Sequence, residues 1–215
     1  MHHGYIALEG LIGAGKTTLA RRLAERWDAR LVLEEFDENP FLPRFYADPQ
    51  RYAFAVELSF LAQRYHQLKR ASEQELFAPR TVADYSIGKS LVFASATLNP
   101  EENGLFRDLY RIMYGSLPRP GLIVYLHLPL ERVRARIRQR GRSYEQDIGP
   151  DYLERLRGLY MDHLHKTEGS QVLVVDLGER DLLHDEDAFT ALCQRLETPQ
   201  AKPFDVLELG STGRR

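Results

Sequence analysis

The chain has 215 residues, 43% hydrophobic and 28% charged, with a net charge of −2. This is enough for one domain with a sizeable core, and it gives no electrostatic footprint for a nucleic-acid polymer. One cysteine, Cys193, excludes an intrachain disulfide and a Cys-based zinc site and fits a reducing, cytoplasmic setting; no apolar run approaches a membrane span.

The opening YIALEG is an apolar run that predicts a buried strand. It leads straight into GLIGAGKTT, in which Gly10, Gly15, Lys16 and Thr17 keep the spacing G-x-x-x-x-G-K-[ST]. The next segment has helical periodicity, with Leu19, Leu23 and Trp27 on one stripe. Strand, glycine-rich turn and helix form the context of a phosphate-binding loop. Its backbone N–H groups and the helix N-terminus attract phosphate oxygens. Lys16 would reach the β- and γ-phosphates, and the Thr17 hydroxyl would bind Mg²⁺.

RLVLEE predicts a second strand with an acidic exit. A carboxylate there can accept a proton from an acceptor hydroxyl; Glu34, Glu35, Asp37 and Glu38 are all candidates by position. Further strands are predicted at RTVADY, GLIVYLHL and QVLVVDL, making five, with amphipathic helices starting near Thr17, Pro49, Ser86, Glu101, Leu130 and Asp151. Apolar strands alternating with helices predict an α/β fold, a parallel sheet with helices on both faces. Ligands bind such sheets beyond the strands' carboxyl ends, where the loop, Glu34 and Asp84 should converge. In RARIRQRGRSYEQ, Arg140 and Arg142 flank Gly141, where a helix must end, and predict a lid closing over a triphosphate. Arg132, Arg134 and Arg138 read as a solvated helix face. The tail, residues 199–215, shows no helical period and is expected to be loosely held, outside a domain spanning 1–198.

From Tyr5 to about Leu196 the chain resembles the deoxynucleoside kinases. EGLIGAGKTT is similar to that family's phosphate loop, LEEFDENPFLPRFYADPQRYAF to its acidic and acceptor segment, and RIRQRGRSYEQDI to its arginine lid, about 136–149. The resemblance implies a five-stranded phosphate-loop kinase fold, ATP as phosphoryl donor, Mg²⁺, a deoxynucleoside acceptor and a homodimer. It implies donor contacts from Gly10, Gly13, Ala14, Gly15, Lys16, Thr17, Thr18 and Arg136. It selects Glu34 as the base for the 5′-hydroxyl, with Arg140 and Arg142 on phosphate and Asp84 on Mg²⁺ through water. Tyr46 and Glu145 would hold the sugar 3′-hydroxyl.

The chain departs from the family pattern twice. Where the family carries D-R-S or E-R-S, this chain has Asp84-Tyr85-Ser86, so an arginine near the base is missing; Lys89, one turn on, is a candidate replacement. Where the family generally has glutamine, this chain has Glu57, beside Val56 in the expected acceptor-binding set. Phe54, Glu57, Leu61, Arg64 and Leu68 share one helical stripe. Either Glu57 and Arg64 pair across about 10 Å, or a base lies between them; the resemblance favours the base. An ionised carboxylate only accepts and an arginine only donates. Guanine, with adjacent N1–H and N2–H₂ donors, then ranks first among acceptor bases. Two rival readings are a thymidylate-type monophosphate kinase and a kinase-fold subunit that binds nucleotide without catalysis. The first needs more cations around the acceptor. The second sits poorly with an intact set of Lys16, Thr17, Glu34, Arg140, Arg142 and Glu145.

Overall fold

Strand β1 (Tyr5–Gly10) is buried at every position, as a strand covered on both faces requires. Its residues divide by parity. Ile6 and Leu8 join the core under α1 (Lys16–Trp27), and Tyr5 and Ala7 join a second core on the opposite face. The computed structural model describes residues 3–35, 39–73, 80–115, 117–146 and 148–210.

β1 lies inside one sheet with β2 (Arg30–Val32), β3 (Thr81–Ala83), β4 (Leu122–His127), β5 (Gln171–Asp176) and β6 (Phe204–Glu208). The strand order is β2-β3-β1-β4-β5-β6, and every pairing is parallel. The chain runs from β1 outward to β2, returns through β3, and then crosses to β4. The order of strand addition therefore reverses beside β1, which is where such sheets open a crevice at their carboxyl ends.

Helices cover both faces. The first core gathers α1, α6 (Leu130–Arg140), α7 (Pro150–His165) and α8 (Glu186–Glu197). The second gathers α3 (Pro49–Glu73), α4 (Lys89–Thr97) and α5 (Pro100–Tyr114). The short α2 (Leu42–Ala47) packs against α3 and forms a third cluster through Phe45, Ala53 and Val56. A capping box starts α5: the Asn99 side chain accepts from the Glu102 N–H while Glu102 reaches back to the Asn99 N–H. Among the described residues, no helix is long and apolar enough to cross a membrane.

Two expectations are corrected here. The sheet has six strands, not five, because Phe204–Glu208 in the supposedly loose tail pairs along β5; residues 211–215 lie outside the described residues. Helix α8 also escapes the strand-by-strand reading. Its signals are local ones: the Asp185 side chain caps the Ala188 N–H, and Phe189, Leu192, Cys193 and Leu196 form the buried stripe.

Candidate active site

The loop between β1 and α1 is built by glycines in conformations that other residues resist. Gly13 and Gly15 have φ of +80° and +93°. A Cβ on Gly13 would also lie 3.2 Å from Ile137 Cγ1 and 3.3 Å from the Val133 carbonyl. The loop thus packs closely on α6. Lys16 Nζ donates to the Gly10 and Leu11 carbonyls, both at 2.9 Å. Its third hydrogen remains for a ligand. Burial, helped by the charge of Lys89, lowers this ammonium to about 8.

Beside the loop, Thr17 Oγ1 donates to Asp84 Oδ2 at 2.5 Å, and Asp84 Oδ1 accepts from the Glu34 N–H at 2.7 Å. Asp84 therefore joins the exits of three strands: the loop after β1, Glu34 after β2, and its own place after β3. The Glu34 side chain is clamped by two cations. Arg64 donates to Oε1 through Nε at 2.9 Å and Nη2 at 2.7 Å, and Lys89 pairs with Oε2. Burial raises the Glu34 carboxyl, but the charges of Lys89 and Arg64 outweigh it and hold the group at about 2.

Arg64, expected to read a base, lines the cavity with Glu57 but is already engaged by other partners. Arg64 spends Nε and Nη2 on Glu34 and Nη1 on the Ser90 hydroxyl at 2.7 Å. Among the described residues no hydrogen bond joins it to Glu57. The physical reason is distance and charge: Glu34 presents an ionised carboxylate beside the guanidinium, while Glu57 lies two turns away on the same helix. Tyr85, at the position of the missing arginine, is wholly buried and turns from the cavity. Its hydroxyl donates to Gln67 Oε1 at 2.6 Å, and Gln67 Nε2 donates to the Leu33 carbonyl, next to Glu34.

Glu57 lines the same cavity, 3% exposed, with the Thr97 hydroxyl 3.2 Å from Oε1. Burial raises its carboxyl to about 7 against the lowering fields of Arg64 and Lys89. Val56 also lines the cavity and is buried against Phe45 and Ala53. Tyr46 lines the cavity too, its ring stacked on Tyr144 at 5.6 Å. Burial and the Glu145 charge raise its phenol.

Beyond α6 the chain turns at Gly141, with φ of +71°. Arg140 pairs with Glu145 Oε2, and Arg142 Nη1 lies 3.4 Å from Oε1. Glu145 is buried. Arg136 is tied to the loop's outer side, donating to the Ala14 carbonyl at 3.0 Å and Asp181 Oδ1 at 3.1 Å. Of the arginines read as solvated, Arg134 and Arg138 are exposed. Arg132 is not: it donates to the Gly178 and Arg180 carbonyls and ties α6 to the segment after β5. Glu35 pairs with Arg70 at the surface, and Asp37 and Glu38 lie outside the described residues.

Two cavities meet here. One extends past Gly15, Thr18, Arg21 and Arg136, and the other past Tyr46, Glu57, Phe60 and Tyr152. Both are lined by Gly13, Lys16, Thr17, Glu34, Asp84, Arg140 and Arg142. Sequence reasoning passed over Ser90, Gln67, Thr97 and Asp181. Their partners come from distant segments, and only the α3 spacing of Arg64 and Gln67 hints at a shared face.

The profile of the deoxynucleoside kinase family matches residues 6–199. A deoxyguanosine kinase from Bacillus subtilis (strain 168) is 33% identical over 198 residues, covering 90% of this chain and 96% of that protein. A deoxyadenosine/deoxycytidine kinase from the same organism is 30% identical, covering 89% and 90%. Among solved structures, deoxyadenosine kinase from M. mycoides with bound dATP superposes with a TM-score of 0.77 at 24% identity, covering 90% of this chain and 99% of that one.

Proposed function

The chain belongs to the deoxynucleoside kinase family, and from that premise we propose that it transfers the γ-phosphoryl group of ATP to the 5′-hydroxyl of a purine deoxynucleoside. The single observation that carries this reading is the shared wall of the two cavities, where Lys16, Glu34, Asp84, Arg140 and Arg142 face both. The glycine loop and Lys16 receive the donor phosphates. The acceptor lies along α3, with its sugar between Tyr46 and Glu145.

Thr17 and Asp84 bring a hydroxyl and a carboxylate within 2.5 Å of each other. Hard oxygen donors with a single carboxylate suit Mg²⁺, which keeps waters and takes its other ligands from phosphate. When bound, the ion neutralises charge on the donor phosphates.

Glu34 takes the acceptor proton, and its two oxygens are not equivalent. Oε1 already accepts two N–H bonds from Arg64. Among the described residues Oε2 accepts only from Lys89, so its second lone pair is the one left for a hydroxyl. A carboxylate held near 2 is a weak base. Phosphoryl transfer tolerates this, because its transition state is loose and the protein acts mainly by position and charge. Lys89 supplies a cation where the family's arginine is missing. It stands over Glu34 while Tyr85 is withdrawn into the core.

The net charge of −2 and the small concave site suit small-molecule substrates, not a nucleic-acid polymer. A cytoplasmic homodimer fits the reduced, buried Cys193 and the outer stripe of α5, where Leu105 and Ile112 are 53% and 79% exposed. The test is a panel of four deoxynucleosides and their monophosphates, assayed with ATP and Mg²⁺. The expected result is phosphorylation of purine deoxynucleosides, deoxyguanosine foremost, with monophosphates inert. Turnover of thymidylate alone would favour the monophosphate-kinase reading, and no turnover at all would favour a binding subunit.

A further inference from the structure

The acceptor cavity holds a second buried carboxyl, and its partners set it apart from Glu34. The Thr97 hydroxyl lies 3.2 Å from Glu57 Oε1 and 2.9 Å from the Phe93 carbonyl one turn back on α4. That hydroxyl has one hydrogen to share between the two acceptors. It is the one neutral donor that reaches the Glu57 carboxyl among the described residues, and the nearby cations are paired with Glu34.

The charged surroundings agree. Arg64 on α3 and Lys89 on α4 face Glu57, but both make their ion pairs with Glu34. The Glu34 charge, the Tyr46 phenol of α2 and the Tyr152 phenol of α7 face it as well. The lid contributes Arg140, Arg142 and Glu145 to the same cavity, paired with one another. Burial outweighs the cations and lifts Glu57 to about 7.

We propose that Glu57 holds a proton until the acceptor base arrives, and that the base decides whether the proton stays, so that the choice between purines is linked to pH. This rests on the deoxynucleoside kinase reading and deepens it. Guanine presents two adjacent donors, N1–H and N2–H₂. Only an ionised carboxylate accepts both, so guanine binding releases the Glu57 proton to solvent. Adenine presents an N6–H₂ donor beside the N1 acceptor. A protonated carboxyl, one donor and one acceptor, matches that edge and keeps its proton. The protonated form prevails at lower pH and favours adenine, and the ionised form prevails at higher pH and favours guanine.

The experiment measures kcat/KM for deoxyguanosine and deoxyadenosine from about pH 6 to about pH 8, spanning the titration of a carboxyl raised to neutrality. The ratio cancels titrations that affect both substrates alike. It is expected to rise at least tenfold in favour of deoxyguanosine, and to stay within about twofold in Glu57→Gln, whose amide donates and accepts at every pH. Calorimetry at about pH 6, below the Glu57 titration, in buffers of different ionisation enthalpy should show close to one proton released with deoxyguanosine and close to none with deoxyadenosine. Phosphorylation of both purines with a flat wild-type ratio overturns this proposal and leaves the proposed function standing. A rise that persists in Glu57→Gln overturns it too, by placing the titration elsewhere. Failure to phosphorylate either purine overturns both.

Discussion

Glu34 and Glu57 are carboxyls buried in one cavity, yet their surroundings send them in opposite directions. Glu34 is ringed by Arg64, Lys89 and a strand exit, and it is held at about 2. Glu57 has one hydroxyl contact and is raised to about 7. Burial pushes both upward, so depth does not separate them. The difference lies in which carboxylate captured the cations. One end of the cavity is thereby fixed in charge, which suits the general-base role proposed for Glu34. The other end can still change charge, which suits the base selection proposed for Glu57.

The sharpest way to break this contrast is to remove the fixed charge. Glu34→Gln should lower kcat by roughly 10²- to 10⁴-fold, the usual range for a general base, with little change in deoxynucleoside KM. Near-normal steady-state turnover would strip Glu34 of the role. Glu35 would be a poor successor, since it pairs with Arg70 at the surface.

Removing a cation tests what the fixed charge costs. Arg64→Met leaves a buried carboxylate with Lys89 alone. Breaking a buried pair from one side typically destabilises by about 3–5 kcal/mol, and urea unfolding should register a loss of that order. A loss below about 1 kcal/mol, the scale of an exposed pair, would mean that Lys89 and water suffice.

Lys89→Met is expected to act on the reaction more than on the fold. Turnover should fall about tenfold, equivalent to ~1.4 kcal/mol, while ATP affinity stays nearly unchanged. Turnover within about twofold of wild type, well under that scale, would show that Arg64 meets the need alone.

The smallest effect sharpens the other end. Thr97→Val removes the hydroxyl that donates to Glu57 Oε1. The ionised form loses a hydrogen bond worth ~1 kcal/mol. The pH midpoint of the purine ratio should therefore move up by somewhat under one unit. A downward move would mean that Thr97 accepts from a protonated Glu57.

The contrast also marks what could be read from the chain. The phosphate loop was legible because all its parts are contiguous: an apolar strand, glycines at fixed offsets, Lys16, Thr17 and an amphipathic helix. Glu34 was selected through resemblance, since four acidic residues near one strand exit look alike by composition. Arg64 was legible as a buried cation on α3, but not in its choice of partner. That choice compares a carboxylate on its own helix with one delivered from β2, and helical spacing sees only the first. Tyr85 was read as a gap in the charges. Its contact with Gln67, which makes it a prop for the β2 exit, depends on how α3 crosses β3. The strand in the tail was missed because FDVLE is short and half-exposed, with no neighbour in sequence to pair with. Its partner β5 is supplied by the sheet.

The ion pairs around the turn at Gly141 bear on how the two substrates meet. Glu145 binds Arg140 and Arg142 through its two oxygens. On the proposed roles, the same carboxylate receives the sugar hydroxyl, and the same arginines serve the triphosphate. A sugar that engages Glu145 loosens the arginines, and a triphosphate that draws an arginine away frees Glu145. Such exchange is reciprocal by thermodynamic necessity. Donor and acceptor should then bind cooperatively through one ion pair that each engages from its own side. Affinities measured singly and together would show it: each dissociation constant should fall when the other substrate is present, and a Glu145→Gln variant should bind the two independently.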